Sequence, residues 1–129
     1  MSVLVWGAVA TAVVVGLARL LVDPIQQARE ALARRRQARL RAEALLLAWL
    51  SPDQRAQYLA RGRFEVTTAA GHRYRVCPGG VVRLDPRGWA YCIEATCPVP
   101  VADEMLAFKL LLETDERLFL ATAHRYPYH

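Results

Sequence analysis

His72, Cys77, Cys92 and Cys97 are the side chains of this sequence best suited to chemistry, with four, fourteen and four residues between successive members. Nitrogen and sulfur donors can close a tetrahedral zinc site, which structural zinc builds most often from cysteine pairs on tight turns. Cys77 stands beside Pro78-Gly79-Gly80, a sequence able to form such a turn. Cys92 instead lies between Tyr91 and Ile93 in an alternating stretch, where a lone cysteine serves as a small apolar side chain. Zinc is therefore the lesser reading, and no metal and no cofactor are expected. Cys92 with His72 or His124 is the one nucleophile-and-base combination, and nothing in the spacing brings either histidine to it. No G-x-S-x-G, phosphate-binding loop, G-x-G-x-x-G or H-E-x-x-H occurs. Glu113, Asp115 and Glu116, with Arg117 beside them, read as the solvated face of a helix. The ending HRYPYH reads as a disordered tail. An enzyme is not expected.

The elements that position these groups begin with VLVWGAVATAVVVGLARLLV, residues 3–22, whose only charge is Arg19. Twenty residues of helix rise roughly 30 Å, the thickness of a bilayer's hydrocarbon core. A cleavable signal peptide would want a basic leader and a shorter apolar run, so the segment is read as a transmembrane helix. Ala8, Ala12 and Gly16 recur every fourth residue, and such a face lets helices pack closely in lipid.

Charge is uneven along the chain. Of the net +5, residues 1–50 carry +4, from seven arginines against Asp23, Glu30 and Glu43. Arg34, Arg35, Arg36, Arg39 and Arg41 form the densest basic patch. Basic flanks stay in the cytoplasm, which places the amino terminus outside, the remainder inside, and the cysteines in a reducing compartment. Among the 17 basic residues only Lys109 is a lysine. That bias fits the codon usage of a GC-rich bacterial or phage genome before it suggests nucleic acid.

Beyond the span, Asp23-Pro24 has the form of a new helix start, and residues 24–41 read as a basic helical stalk. Ser51-Pro52-Asp53-Gln54 is a capping box opening a short helix that stops at Gly62. The hydrophobic period then changes from helical to two. Phe64, Val66 and Thr68, a turn at Ala70-Gly71, then Tyr74 and Val76 make a hairpin. Val81–Asp85 and Trp89–Ala95 are further strands, separated by a tight turn at residues 86–88. From Val101 to about Ala123 no Gly or Pro interrupts a broad apolar face, which predicts one long helix. The expected architecture is α+β. A transmembrane helix over 3–22 and the stalk over 24–41 precede a small domain over 42–125, with a tail at 126–129. That domain is a helix, a three- or four-stranded antiparallel sheet and a long C-terminal helix. Its core would take Phe64, Val66, Tyr74, Val76, Leu84, Tyr91 and Ile93 from the sheet. The helices would add Leu46, Leu50, Met105, Phe108, Leu112 and Phe119.

The stretches RAEALLLAWLSPDQRAQYLARGRFEV, G-x-x-Y-x-V, Tyr-Cys and DEMLAFKLLLETDE resemble a small domain recurring in uncharacterised bacterial and phage proteins. The resemblance covers about residues 41–125. It implies the fold and a recurring cysteine at Cys92, brings no activity with it, and does not extend to the apolar N-terminus.

The functional expectation is a non-enzymatic, single-pass protein of a bacterial inner membrane, or of a host membrane if the source is a phage. It would act as an interaction module or accessory subunit of a membrane complex, with lipid and another membrane protein or itself as partners. The alternatives are a membrane-tethered nucleic-acid-binding protein, using Arg61, Arg63, Arg73 and Arg75 with the stalk arginines, and a phage lysis or assembly factor.

Overall fold

The computed structural model describes residues 2–86 and 88–128. Its first element, α1 (Ser2–Trp49), starts in the apolar run and continues through Asp23 and Pro24 without a break. The expected restart at Asp23-Pro24 is therefore not seen. Pro24 removes one N–H and crowds the Leu20 carbonyl, but the Ala, Leu, Arg and Gln residues that follow sustain the helix. Internal contacts divide the chain into two units, Met1–Gln37 and Ala38–His129. None of the described side chains of the first unit is buried.

The second unit begins on the last turns of α1, whose Ala42, Leu46 and Leu50 recur every four residues and are buried. Ser51 then caps α2 (Pro52–Arg61) with the reciprocal Gln54 contact expected of a capping box. Gly62 closes the helix at φ 69°, a left-handed conformation that glycine adopts at no steric cost.

Five antiparallel strands follow in spatial order β1-β2-β3-β4-β5. They are β1 (Phe64–Thr67), β2 (Arg73–Cys77), β3 (Gly80–Arg83), β4 (Trp89–Cys92) and β5 (His124–Pro127). Phe64 faces Val76 and Val66 faces Tyr74 across the first hairpin, and Val76 faces Val81 across the second. These residues, with Tyr91, turn one sheet face into the core. The turn at residues 86–88 includes Arg87, which lies outside the described residues.

Two helices separate β4 from β5 where one was expected: α3 (Val101–Thr114) and α4 (Glu116–Thr122). The break falls at Asp115, whose side chain accepts a hydrogen bond from the Leu118 N–H at 3.0 Å and so caps α4. Aspartate breaks the helix here without any Gly or Pro. The helices bring Met105, Phe108, Leu112 and Phe119 onto the sheet. Tyr74, Tyr91, Phe108 and Phe119 form an aromatic cluster with ring centroids 5.9–6.4 Å apart, in the range of favourable edge-to-face contacts. The predicted core is found except that Leu84 is only half-buried and Ile93 lies at its margin.

The segment read as a tail is largely β5, paired to β4 from Cys92–His124 through Trp89–Pro127; His129 lies outside the described residues. Each edge of the sheet is partly blocked, by different means. Beside β1, Gln54 Nε2 donates to the Glu65 carbonyl at 3.0 Å, and the Glu65 N–H donates to Gln57 Oε1 at 2.8 Å. On β5, the Tyr128 N–H bonds the Gly88 carbonyl, so strand alternation turns the Pro127 nitrogen outward, where it has no hydrogen to donate.

Candidate functional site

The four residues considered for zinc are not assembled. His72 precedes β2 and Cys77 ends it, which separates them by roughly 16 Å at the rise of a strand. Cys77 pairs with Gly80, and Val81 with Tyr91 in the next ladder, so Cys92 lies one strand beyond Gly80. Two strand spacings, roughly 10 Å, exceed the reach of a disulfide. Cys97 is exposed in the segment before α3. Among the described residues no group of three His, Cys, Asp or Glu could hold a metal ion.

The structure does bring together one pair that sequence spacing left open. Cys92 stands directly opposite His124 on β5. Burial first, then the charges of Glu104 and Glu94, push the Cys92 thiol above its ordinary pKa. Burial likewise raises Cys77, against the opposing pull of Arg63 and Arg75. A nucleophilic cysteine needs the opposite shift.

Of the residues read as a solvated face, Glu113, Asp115 and Arg117 are exposed, while Glu116 is partly buried. Tyr74 is fully buried and donates its hydroxyl to Glu116 Oε1 at 2.6 Å, and His72 Nδ1 approaches the same oxygen at 2.6 Å. Lys109, itself buried, donates to both carboxylate oxygens of Glu113 at 2.7 Å. With Asp115 as a cap, each of the three acids has a hydrogen-bond partner within the chain. Sequence signals for this existed only in part: a lysine four residues before Glu113 announces one pair, while Tyr74 and His72 lie over 40 residues from Glu116. The Glu116 cluster ties α4 to the first hairpin.

Its acid dependence follows from the competing causes. Burial would raise the Glu116 pKa, but the hydrogen bonds from Tyr74 and His72 and the His72 charge outweigh it, so the value falls below the ordinary 4.5. A carboxylate lowered on folding stabilises the native state above its unfolded pKa, and that contribution disappears as pH falls through the folded value. Glu116→Gln is expected to lower the melting temperature at pH 6. The difference from the unmodified chain should shrink below pH 4, as thermal unfolding monitored by circular dichroism at both values will show.

In the first unit, Ala8, Thr11, Ala12, Val15, Gly16 and Arg19 line a shallow groove along α1. Arg34, Arg35, Arg36, Arg39 and Arg41 are exposed, and Arg34 makes only a long contact to Glu30 at 3.8 Å. Arg73 and Arg75, grouped above with the stalk arginines, are instead both directed to Glu65, at 2.7 and 3.6 Å.

In the second unit an apolar groove of about 470 Å³ opens between α3, α4 and the segment following β4. Ile93, Val99, Phe108, Leu111 and Leu118 line it, together with the acids Asp103 and Glu104. Sequence reading assigned this apolar width to the core of a single helix, and the break at Asp115 leaves part of it open, with Leu118 52% exposed. α1 contains one segment long and apolar enough to cross a membrane, and none of that segment is buried. Comparison of the chain with protein-family models, with curated proteins and with solved structures gives no match.

Proposed function

We propose that this chain is a single-pass membrane protein whose second unit is a non-enzymatic interaction module, an accessory subunit of a membrane complex. The observation that carries the reading is the wholly unburied apolar run over residues 3–22, joined to a second unit that has a core of its own. The apolar side chains of this run left in water are unfavourable by about 25 cal/mol for each Å² of surface, and a bilayer removes that cost. The arginines between Arg29 and Arg41 then retain their flank in the cytoplasm. The apolar groove is the docking surface of the module. Its acids Asp103 and Glu104 select a partner segment that presents apolar side chains beside a basic residue.

Topology and docking are tested together. In intact cells an impermeant maleimide should label a Ser2→Cys variant, while the exposed Cys97 should react only after lysis. Labelling of Cys97 in intact cells overturns the orientation. Val13→Arg, at the middle of the run, carries an insertion cost of about 2.5–3.5 kcal/mol and should release most of the chain from alkali-washed membranes. Leu118→Glu should abolish co-purification of the partner subunit without affecting membrane retention. If the same partner is recovered with this variant, the groove is not the docking surface.

A nucleic-acid role draws less support. Glu65 engages two of the arginines it would require, and its carboxyl is held below the usual carboxylate range, chiefly by the hydrogen bond from Arg73.

A further inference from the structure

A second cavity, of about 330 Å³, lies between α2 and the sheet, away from the apolar groove. Its floor is Ala56, Ala60 and Phe64, and three guanidinium groups stand around it: Arg61 from the last turn of α2, Arg63 just beyond Gly62, and Arg75 from β2. Gln57 and Glu65 complete the wall. We propose that this cavity binds a phosphate dianion, either free or as the monoester headgroup of an anionic lipid.

The charge balance favours a multiply charged anion. With Arg73 counted, four arginines meet the single carboxylate of Glu65, a local surplus of three positive charges. Among the described residues Arg61 and Arg63 have no ion-pair partner, and Arg75 reaches Glu65 only at 3.6 Å. Glu65 is meanwhile occupied by Arg73 at 2.7 Å. Like charges gathered in this way repel one another, and an anion between them relieves the repulsion. Guanidinium groups present paired N–H donors in a fixed fork that matches phosphate oxygens.

The neutral wall adds a directed donor. Gln57 Oε1 already accepts the Glu65 N–H at 2.8 Å. That contact fixes the side-chain amide and leaves its Nε2 hydrogens for a ligand. A cavity of this size admits a phosphoryl group and the first atoms attached to it, which favours a terminal phosphate over a continuous strand. Sequence reading placed Arg61, Arg63 and Arg75 on a diffuse basic surface. The fold gathers these three around one cavity and turns Arg73 aside to Glu65.

The test uses the full chain in neutral maltoside micelles, observing the arginine side-chain Nε–Hε resonances while inorganic phosphate is added at constant ionic strength. Saturable shifts of Arg61, Arg63 and Arg75 are expected, with Arg34, Arg35 and Arg36 unaffected. Arg61→Gln and Arg63→Gln, both at exposed positions, should each weaken binding about tenfold, the loss of a charge-assisted contact. Arg117→Gln, which removes the same charge from α4, should leave binding unchanged. If the ligand is a lipid headgroup, phosphatidic acid added to the micelles will shift the same three arginines while soluble phosphate does not. The proposal fails if neither probe saturates, if Arg117→Gln weakens binding as much as Arg63→Gln, or if the largest shifts fall on residues 34–41. It also fails, in favour of a nucleic-acid strand, if an oligonucleotide without a terminal phosphate competes as well as phosphate. None of these outcomes depends on membrane topology, so the proposal can fail while the membrane reading stands.

Discussion

Phe119→Ala is expected to destabilise the second unit by about 3–5 kcal/mol, the usual cost of emptying a buried aromatic site. Phe119 has no exposed surface and packs against the rings of Tyr74, Tyr91 and Phe108. It is also the one buried residue of α4, a helix of seven residues. Its truncation leaves a void bordered by three rings that are fixed in turn by β2, β4 and α3, so little collapse is possible. Small domains have only about 5–15 kcal/mol in total, and this variant should lose a large share of it. Chemical denaturation of the full chain in micelles, followed by tyrosine and tryptophan fluorescence, will show the loss as a lower midpoint. A fall of under 1 kcal/mol would mean that α4 is not part of the cooperative unit.

Glu113→Ala is the second large effect, about 2–3 kcal/mol, because it leaves the buried Lys109 ammonium without its two hydrogen-bond acceptors. Lys109→Met should behave quite differently. It removes the charge together with the need for a partner and fills similar volume, so the expected change is within about 1 kcal/mol. Adding Lys109→Met to Glu113→Ala should therefore recover most of the lost stability. Denaturant midpoints for the two single variants and the double variant provide the test. Equal losses in both single variants would show that the pair itself stabilises the fold, rather than merely neutralising a buried charge.

The features legible in the sequence are those decided within a few residues. The capping box at Ser51 and Gln54, the stop at Gly62, the hairpin around Ala70-Gly71 and the alternation of Phe64, Val66, Tyr74 and Val76 all depend on local geometry, and all are present. The misreadings occur where distant residues decide. β5 is a strand because β4 offers it a partner; His124-Arg125-Tyr126-Pro127 by itself carries little β signal. The helix break at Asp115 rests on one side chain's preference for a cap over a helix interior, a choice that depends on α4 finding the sheet. Glu116 looks like a surface acid until the first hairpin delivers Tyr74 and His72 to it. The anion cavity was half legible. Its arginines were noted, but alternation puts Arg73 and Arg75 on one face of β2, and which of them reaches the cavity follows from the position of α2.

The two glutamines beside β1 and the proline of β5 together limit what the sheet can become. Strands with free edges recruit further strands, and that recruitment is the route by which folded domains polymerise into fibres. Here Gln54 and Gln57 occupy the outward backbone groups of Glu65, while Pro127 denies a hydrogen to any newcomer at the far side. A neighbouring copy would find the Glu65 backbone groups already engaged on one edge and no donor at Pro127 on the other, so growth of one molecule's sheet into the next is discouraged on both sides by three residues.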